Sequence, residues 1–449
     1  MKRIYKFALY MLLPLGGGWV GASCDSYIDI TPKGAVTVDS ARQYYELIVN
    51  PMRCYNAASY FYLTDDAWAK ESNILGYEST TFHGINFTFN EQADRTLLAD
   101  NNLYENMYAY ILRMNLVIDN IDEAEGSQEL KTLAKAEART LRAFDHFLAV
   151  NTYAKAYDPA TAQQDGGVCI MDHYDLEAVP QKATVAQVYL FHRDWEKAKQ
   201  AAEMSLKLNS TLVDYNVIKA AGGVARCKDY NRDNNPEVLS YMWMGSGWTT
   251  EEAALSYYGL ISPELKQLFE PDDLRYSLFL RDTGTSIVNW FDAGSGAAIW
   301  TPATTTERFT YMTVGLRTAE VYLIAAEANA RLGNLDAAAD YVNRLRAKRI
   351  SNLNSQISNL NSQQEMMNTI IIERRKELLF GFHRFFDLKR LNTEPEYQKT
   401  VTRNFPVVNI SETYPQRTYT LRPDSRLYII PFPRSARDKN PNLTLNTDE

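Results

Sequence analysis

Between Ala319 and Leu345 one hydrophobic stripe is written twice. Ala319, Tyr322, Leu323, Ala326 and Ala330 recur at the three-and-four spacing of a helix face, Gly333-Asn334 breaks the pattern, and Leu335, Ala338, Ala339, Val342 and Leu345 resume it. Two helices joined by so short a turn run antiparallel, and alanines at their crossing let the backbones approach closely.

The same period marks the first third of the chain. Tyr104, Met107, Tyr108, Ile111 and Leu112 share a face that Ile118 and Ile121 continue. A second helix over 129–153 would turn Leu133, Ala136, Leu141, Phe144 and Leu148 inward, and a third would run from Ala183 to Leu208 with Thr184 as its N-cap. Paired helices of this kind resemble tetratricopeptide units, whose period is about 34 residues. The middle differs: over residues 213–311 Gly, Thr, Ser, Asp and Trp crowd together, and only Ser262 to Phe269 reads as helix. Loops of that composition on a rigid scaffold are where function concentrates. The tandem SNLNSQ repeat within 351–363 reads as a flexible connector.

The N-terminus reads as an export signal. Lys2, Arg3 and Lys6 precede an apolar run from Phe7 to Val20, too short to span a bilayer, and Gly21, Ala22 and Ser23 lead to Cys24. Small residues followed by cysteine resemble a bacterial lipobox, although Gly21 stands where Leu is usual. That resemblance implies a mature chain beginning at an acylated (diacylglycerol- and palmitate-bearing) Cys24, with residues 1–23 removed. Several acyl chains would hold it on a membrane. The remaining Cys54, Cys169 and Cys227 are widely spaced and odd in number, which indicates neither a disulfide framework nor a zinc site. They read as buried small hydrophobes, with one disulfide and one free thiol as the alternative.

Acidic residues outnumber basic ones 55 to 47, and removing the three basic residues of 1–23 moves the formal charge from −8 to −11. Nucleic acid is therefore excluded as a partner. No H-E-x-x-H, Walker A or G-x-S-x-G motif occurs, and His83, His146, His173, His192 and His383 are scattered. The acid pairs Asp65-Asp66, Glu251-Glu252 and Asp272-Asp273 are adjacent in sequence. Neighbouring side chains point apart, whereas a glycosidase needs carboxyls facing across a cleft. No catalytic residue, cofactor or metal ligand is expected. Binding is better supplied, because flat sugar C–H arrays pack on aromatic rings while polar side chains collect the hydroxyls. Trp68, Tyr77, Phe82, Trp248, Trp290 and Trp300 lie in or beside irregular segments and are the expected ligand-facing rings, whereas Trp195 sits within a helix.

Five segments in order resemble one family, the SusD/RagB-like nutrient-uptake lipoproteins of the Gram-negative outer membrane. They are CDSYIDITPKG from Cys24, AEARTLRAF from Ala136, RTAEVYLIAAEA from Arg317, ERRKELLFGFHRFFDLKR from Glu373, and Tyr428-Ile429-Ile430-Pro431 followed by Asn440-Pro441-Asn442-Leu443 and Asn446. The resemblance implies a mainly α fold of tetratricopeptide-like helical pairs forming a right-handed scaffold, with an irregular, loop-rich, ligand-bearing part. It divides the mature single domain, 24–449, into a helical part over 24–212, the insertion 213–311 and a second helical part over 312–449. It also implies no enzymatic activity, a place on the cell surface, a TonB-dependent (SusC-like) transporter as partner, and an oligosaccharide as ligand. A peptide ligand is the alternative, as is a protein-interaction scaffold without small-ligand binding. Within the motifs, Glu320 and Glu327 share a helix face, and Arg384 and Asp387 are spaced for a local, register-fixing ion pair.

Overall fold

The twice-written stripe folds as two helices, Thr318–Arg331 and Leu335–Arg346, with Gly333 at φ +82 in the turn, a conformation that glycine adopts freely. The structure is a computed structural model. It describes residues 38–49, 61–69, 71–96, 101–185, 193–223, 235–239, 260–279, 281–282, 298–299, 316–352, 356–358, 362–379 and 382–446. Cys24, Cys54, Cys227, Trp248, Trp290 and Trp300 lie outside these residues. The account that follows concerns the unit Ser40–Glu449.

Thr318–Arg331 is the central helix. It packs on Trp195–Leu208, on Leu335–Arg346 and on Gln363–Glu377, and so is buried nearly all round. Ala319, Tyr322, Leu323 and Ala325 close one cluster with Ala202, Leu206 and Leu345, while Ala326 and Ala330 close another with Ala338, Val342, Met366 and Ile370. A second pair, Asn101–Asn120 and Gln128–Tyr153, packs beside Ala41–Val49. Among the described residues the fold is mainly helical, built of tetratricopeptide-like pairs with a few short strands.

Two expectations shift. In Gln128–Tyr153 the inward face is Ala134, Ala138, Leu141, Asp145 and Leu148, whereas Leu133 is 52% exposed and Ala136 is exposed. Small alanines sit at the crossing, where a leucine would hold the helices apart. The expected 183–208 helix is not continuous, because Lys182–Thr184 is a strand paired with Gly166–Cys169 and Arg193 has φ 63. A left-handed residue ends an α-helix. The helix then begins at Trp195, with the Asp194 side chain accepting from the Lys197 N–H, and Trp195 is half-buried at its first turn. The short helix expected near Ser262 to Phe269 forms as Pro263–Leu268, capped by Ser262, and Cys169 is a buried free thiol.

Among the described residues, three small sheets accompany the helices. Ala67–Trp68, Leu260–Ile261, Ala298–Ile299 and Arg281–Asp282 form a four-stranded antiparallel sheet in that order. Besides the pair at Gly166–Cys169, Val401–Phe405 and Arg417–Leu421 form a hairpin in the register Val401 to Leu421 and Phe405 to Arg417. No helix among the described residues is long and apolar enough to cross a membrane.

Candidate functional site

The family-like motifs build the interior. Arg384 does not pair with Asp387; its guanidinium binds Asp65 through bonds of 2.7 and 2.8 Å. Asp387 instead takes Arg374 at 2.8 Å and Arg390 at 2.9 Å, Glu327 takes Arg390 at 2.5 and 2.7 Å, and Glu320 faces the His383 ring at 3.2 Å. In place of the expected Arg384–Asp387 pair there is a set of buried bridges, one of them, Asp387 with Arg390, local to a single helix and the others between separate elements. A second set joins Asp273, Glu373 and Glu377 to Arg275, Arg349 and Lys376, all essentially dry. Burial would raise the Asp387 and Glu373 carboxyls, but Arg374 and Arg390 in the first case and Arg275 and Lys376 in the second hold them far below the usual range. Asp65 is likewise held well down by Arg384 and Arg375 against burial, whereas burial raises its neighbour Asp66. These acids are committed to cations, and none of them lines the cleft described next; Glu320, Glu327 and Asp387 line a second, smaller pocket of about 290 Å³.

That cleft, of about 540 Å³, opens between residues 78–92 and the C-terminal hairpin with its loop. Its first wall is shaped by close backbone packing. Thr81 caps the Phe82–Phe87 helix by accepting from the Gly84 N–H at 3.0 Å, and a Cβ on Gly84 would lie 2.1 Å from the Tyr77 carbonyl oxygen. Thr88 Oγ1 donates to the carbonyls of Gly84 at 2.8 Å and Glu78 at 3.3 Å. Phe89 then sits at φ 51, a left-handed conformation that costs a side-chain-bearing residue about 1–2 kcal/mol. Asn90 Oδ1 accepts from the Gln92 N–H at 3.1 Å and sets the next turn.

Arg403 holds this wall to the hairpin. Its guanidinium lies 4.5 Å from the Phe87 ring centroid and 4.3 Å from that of Phe89, and it donates to the carbonyls of Tyr62, Phe87 and Thr64 at 2.9, 2.7 and 2.5 Å. Burial lowers it to about 9, against the weaker opposing pull of Asp65. Arg95 repeats the device lower down, donating to the carbonyls of Leu427, Arg426 and Ile429. The second wall carries Tyr414, Pro415, Arg417, Tyr419 and Arg422. Arg417 hydrogen-bonds Tyr419, and Arg422 reaches Glu91 across the cleft at 3.4 Å. Tyrosine and proline faces therefore stand beside Asn90, Gln92, Thr420 and two arginines.

Of the rings expected to face ligand, Trp68 is a correction. It is 7% exposed, with the Phe87 and Phe405 rings at 5.7 and 6.4 Å, and has no face to offer a sugar. Tyr77 is half exposed and adjoins Glu78 of the cleft, and Phe82 is half-buried at its helix start. Tyr414 and Tyr419 did not enter the expected set. The signal that could have found them is the aromatic-polar run from Thr413 to Thr420. Among the described residues no group of His, Cys, Asp and Glu is arranged to hold a metal ion.

Comparison with known proteins places this architecture. A family model described as "Starch-binding associating with outer membrane" matches residues 37–224, and one described as "SusD family" matches residues 227–448. The chain belongs to the SusD/RagB-like family. A relative named SusD-like protein P2, from Formosa agariphila, is 25% identical over 392 residues, covering 76% of this chain and 71% of that protein. A solved SusD superfamily protein from Bacteroides thetaiotaomicron superposes with a TM-score of 0.66 at 18% identity, covering 92% of this chain and all of the other. A SusD-like carbohydrate binding protein from Bacteroides vulgatus gives 0.63 at 20% identity, covering 91% and 98%. At such identity these structures show the SusD fold alone.

Proposed function

We propose that this chain is a non-catalytic, cell-surface lipoprotein of the outer membrane, held by an acylated Cys24, that captures oligosaccharides for a TonB-dependent transporter. The observation that carries the reading is the cleft, where Tyr414, Tyr419 and Pro415 lie beside Asn90, Gln92, Arg417 and Arg422. Rings of this kind pack on the C–H faces of sugars, while amides and guanidinium groups collect hydroxyls. Family membership and the carbohydrate-binding names of similar proteins support a saccharide over a peptide. The ion-paired acids support a role without hydrolysis, because each is already engaged by a cation.

Titration of the purified mature chain with malto-, xylo-, cello- and mannohexaose, an oligogalacturonide and a peptide digest tests capture. Binding of one saccharide without turnover is expected, and hydrolysis or peptide-only binding contradicts the reading. Palmitate labelling that disappears in Cys24→Ala, with loss of the protein from protease-shaved intact cells, tests anchor and location. Co-purification with a transporter barrel from solubilised membranes tests the partner.

A further inference from the structure

We infer that Glu71 sets the shape of the cleft's C-terminal wall, and through it the affinity for saccharide, while standing behind the wall and touching no ligand. The inference rests on the saccharide reading of the cleft.

Glu71 is 2% exposed at the start of the short helix Glu71–Ile74. Its carboxylate accepts from three consecutive backbone N–H groups: Val407, Val408 at 2.9 Å and Asn409 at 2.8 Å. The Asn409 side-chain amide adds a fourth bond at 2.9 Å. Successive N–H groups turned toward one anion form a nest, and a full negative charge fills it better than a neutral amide does. The loop these bonds hold is otherwise open to solvent, with Val408 through Thr413 all exposed. Its internal ties are the Ser411–Tyr414 turn, at 3.1 Å between backbones and 3.0 Å from the Tyr414 N–H to Ser411 Oγ, and the Gln416 amide bond to the Pro406 carbonyl at 2.9 Å. Those ties fold the loop on itself. Glu71 joins the loop to the body of the protein across 336 positions, and the loop carries Thr413, Tyr414 and Pro415 of the cleft. A wall fixed before binding spares the ligand the entropy of ordering it.

The test uses the mature chain and the saccharide that the wild type binds best in the panel above. Glu71→Gln keeps the volume and removes the charge; Asn409→Ala removes one donor from the loop side and leaves the buried carboxylate in place. Hydrogen exchange is read at the Val407, Val408 and Asn409 amides, and affinity by titration. Faster exchange confined to this loop, with affinity lowered about tenfold in Glu71→Gln and less in Asn409→Ala, is expected. Unchanged exchange in both variants overturns the clamp, and faster exchange with undiminished affinity overturns its part in binding. Should the wild type bind no saccharide, the saccharide reading fails by itself. Exchange then still decides whether Glu71 holds the loop.

Discussion

Arg384 and Asp65, 319 positions apart, meet through two bonds of 2.7 and 2.8 Å in the interior. Asp65 also takes Arg375 at 3.2 Å and Lys399 at 2.7 Å, so two helices and a loop of the C-terminal half converge on one N-terminal carboxylate. Removing one partner of a buried pair leaves the other charge uncompensated. Arg384→Leu should therefore lower stability by about 3–5 kcal/mol, read as a shift in the denaturant midpoint. A shift under about 1 kcal/mol would mean that Arg375 and Lys399 suffice.

Acid should act on the same network. Asp65, Asp387, Glu373, Glu377 and Glu327 are all held below their ordinary range in the fold, so below about pH 4 the unfolded chain binds more protons than the folded one. Their contribution is complete above the unfolded carboxyl pKa near 4 and is lost as pH falls through the folded values. Asp66, raised by burial, opposes this, as one group against five. Melting temperature should change little from pH 7 to 5 on account of these groups and fall steeply from 4 to 2. A flat profile down to pH 2 would contradict the assignment.

Lys389 gives the opposite half of the pH axis. Its ammonium donates to the carbonyls of Asn151, at 2.7 Å, and Ala154, with no carboxylate partner among the described residues, and burial pushes it down to about 7. The unfolded lysine keeps its proton to about pH 10.4. The cost of holding the charge is fully present below about 7 and fades as pH rises toward 10.4. Stability should rise across that window in the wild type, and the rise should be smaller in Lys389→Met.

Gly84 should tolerate no side chain. A Cβ there would lie 2.1 Å from the Tyr77 carbonyl oxygen, a backbone atom that cannot rotate away. Gly84→Ala should cost about 1–3 kcal/mol and disturb the Tyr77 to Asn90 segment, visible as amide shifts concentrated in that stretch.

The helical pairs were legible because period 3.6 is a local property: Ala319 through Leu345 needed only counting, and Gly333 marked the turn. Leu133 misled because hydrophobicity does not reveal that alanines hold the crossing in Gln128–Tyr153. Arg384 was read with its near neighbour Asp387, since spacing of three is visible in a sequence and contact across 319 positions is not. Trp68 lies in or beside an irregular segment of the sequence, yet the Phe87 and Phe405 rings that cover it come from two other segments. The cleft is hidden from the sequence for the same reason. Its walls are brought together by Arg403 and Arg95, whose partners are backbone carbonyls, and any residue supplies a carbonyl.

Titration calorimetry on Tyr414→Ala/Tyr419→Ala tests the central claim most directly, with the wild type measured beside it against the same saccharide panel. The account predicts that one saccharide binds the wild type, and that the double variant keeps its melting temperature within a few degrees and loses at least about tenfold in affinity. Undiminished saccharide binding by the double variant would place the capture site elsewhere on the molecule.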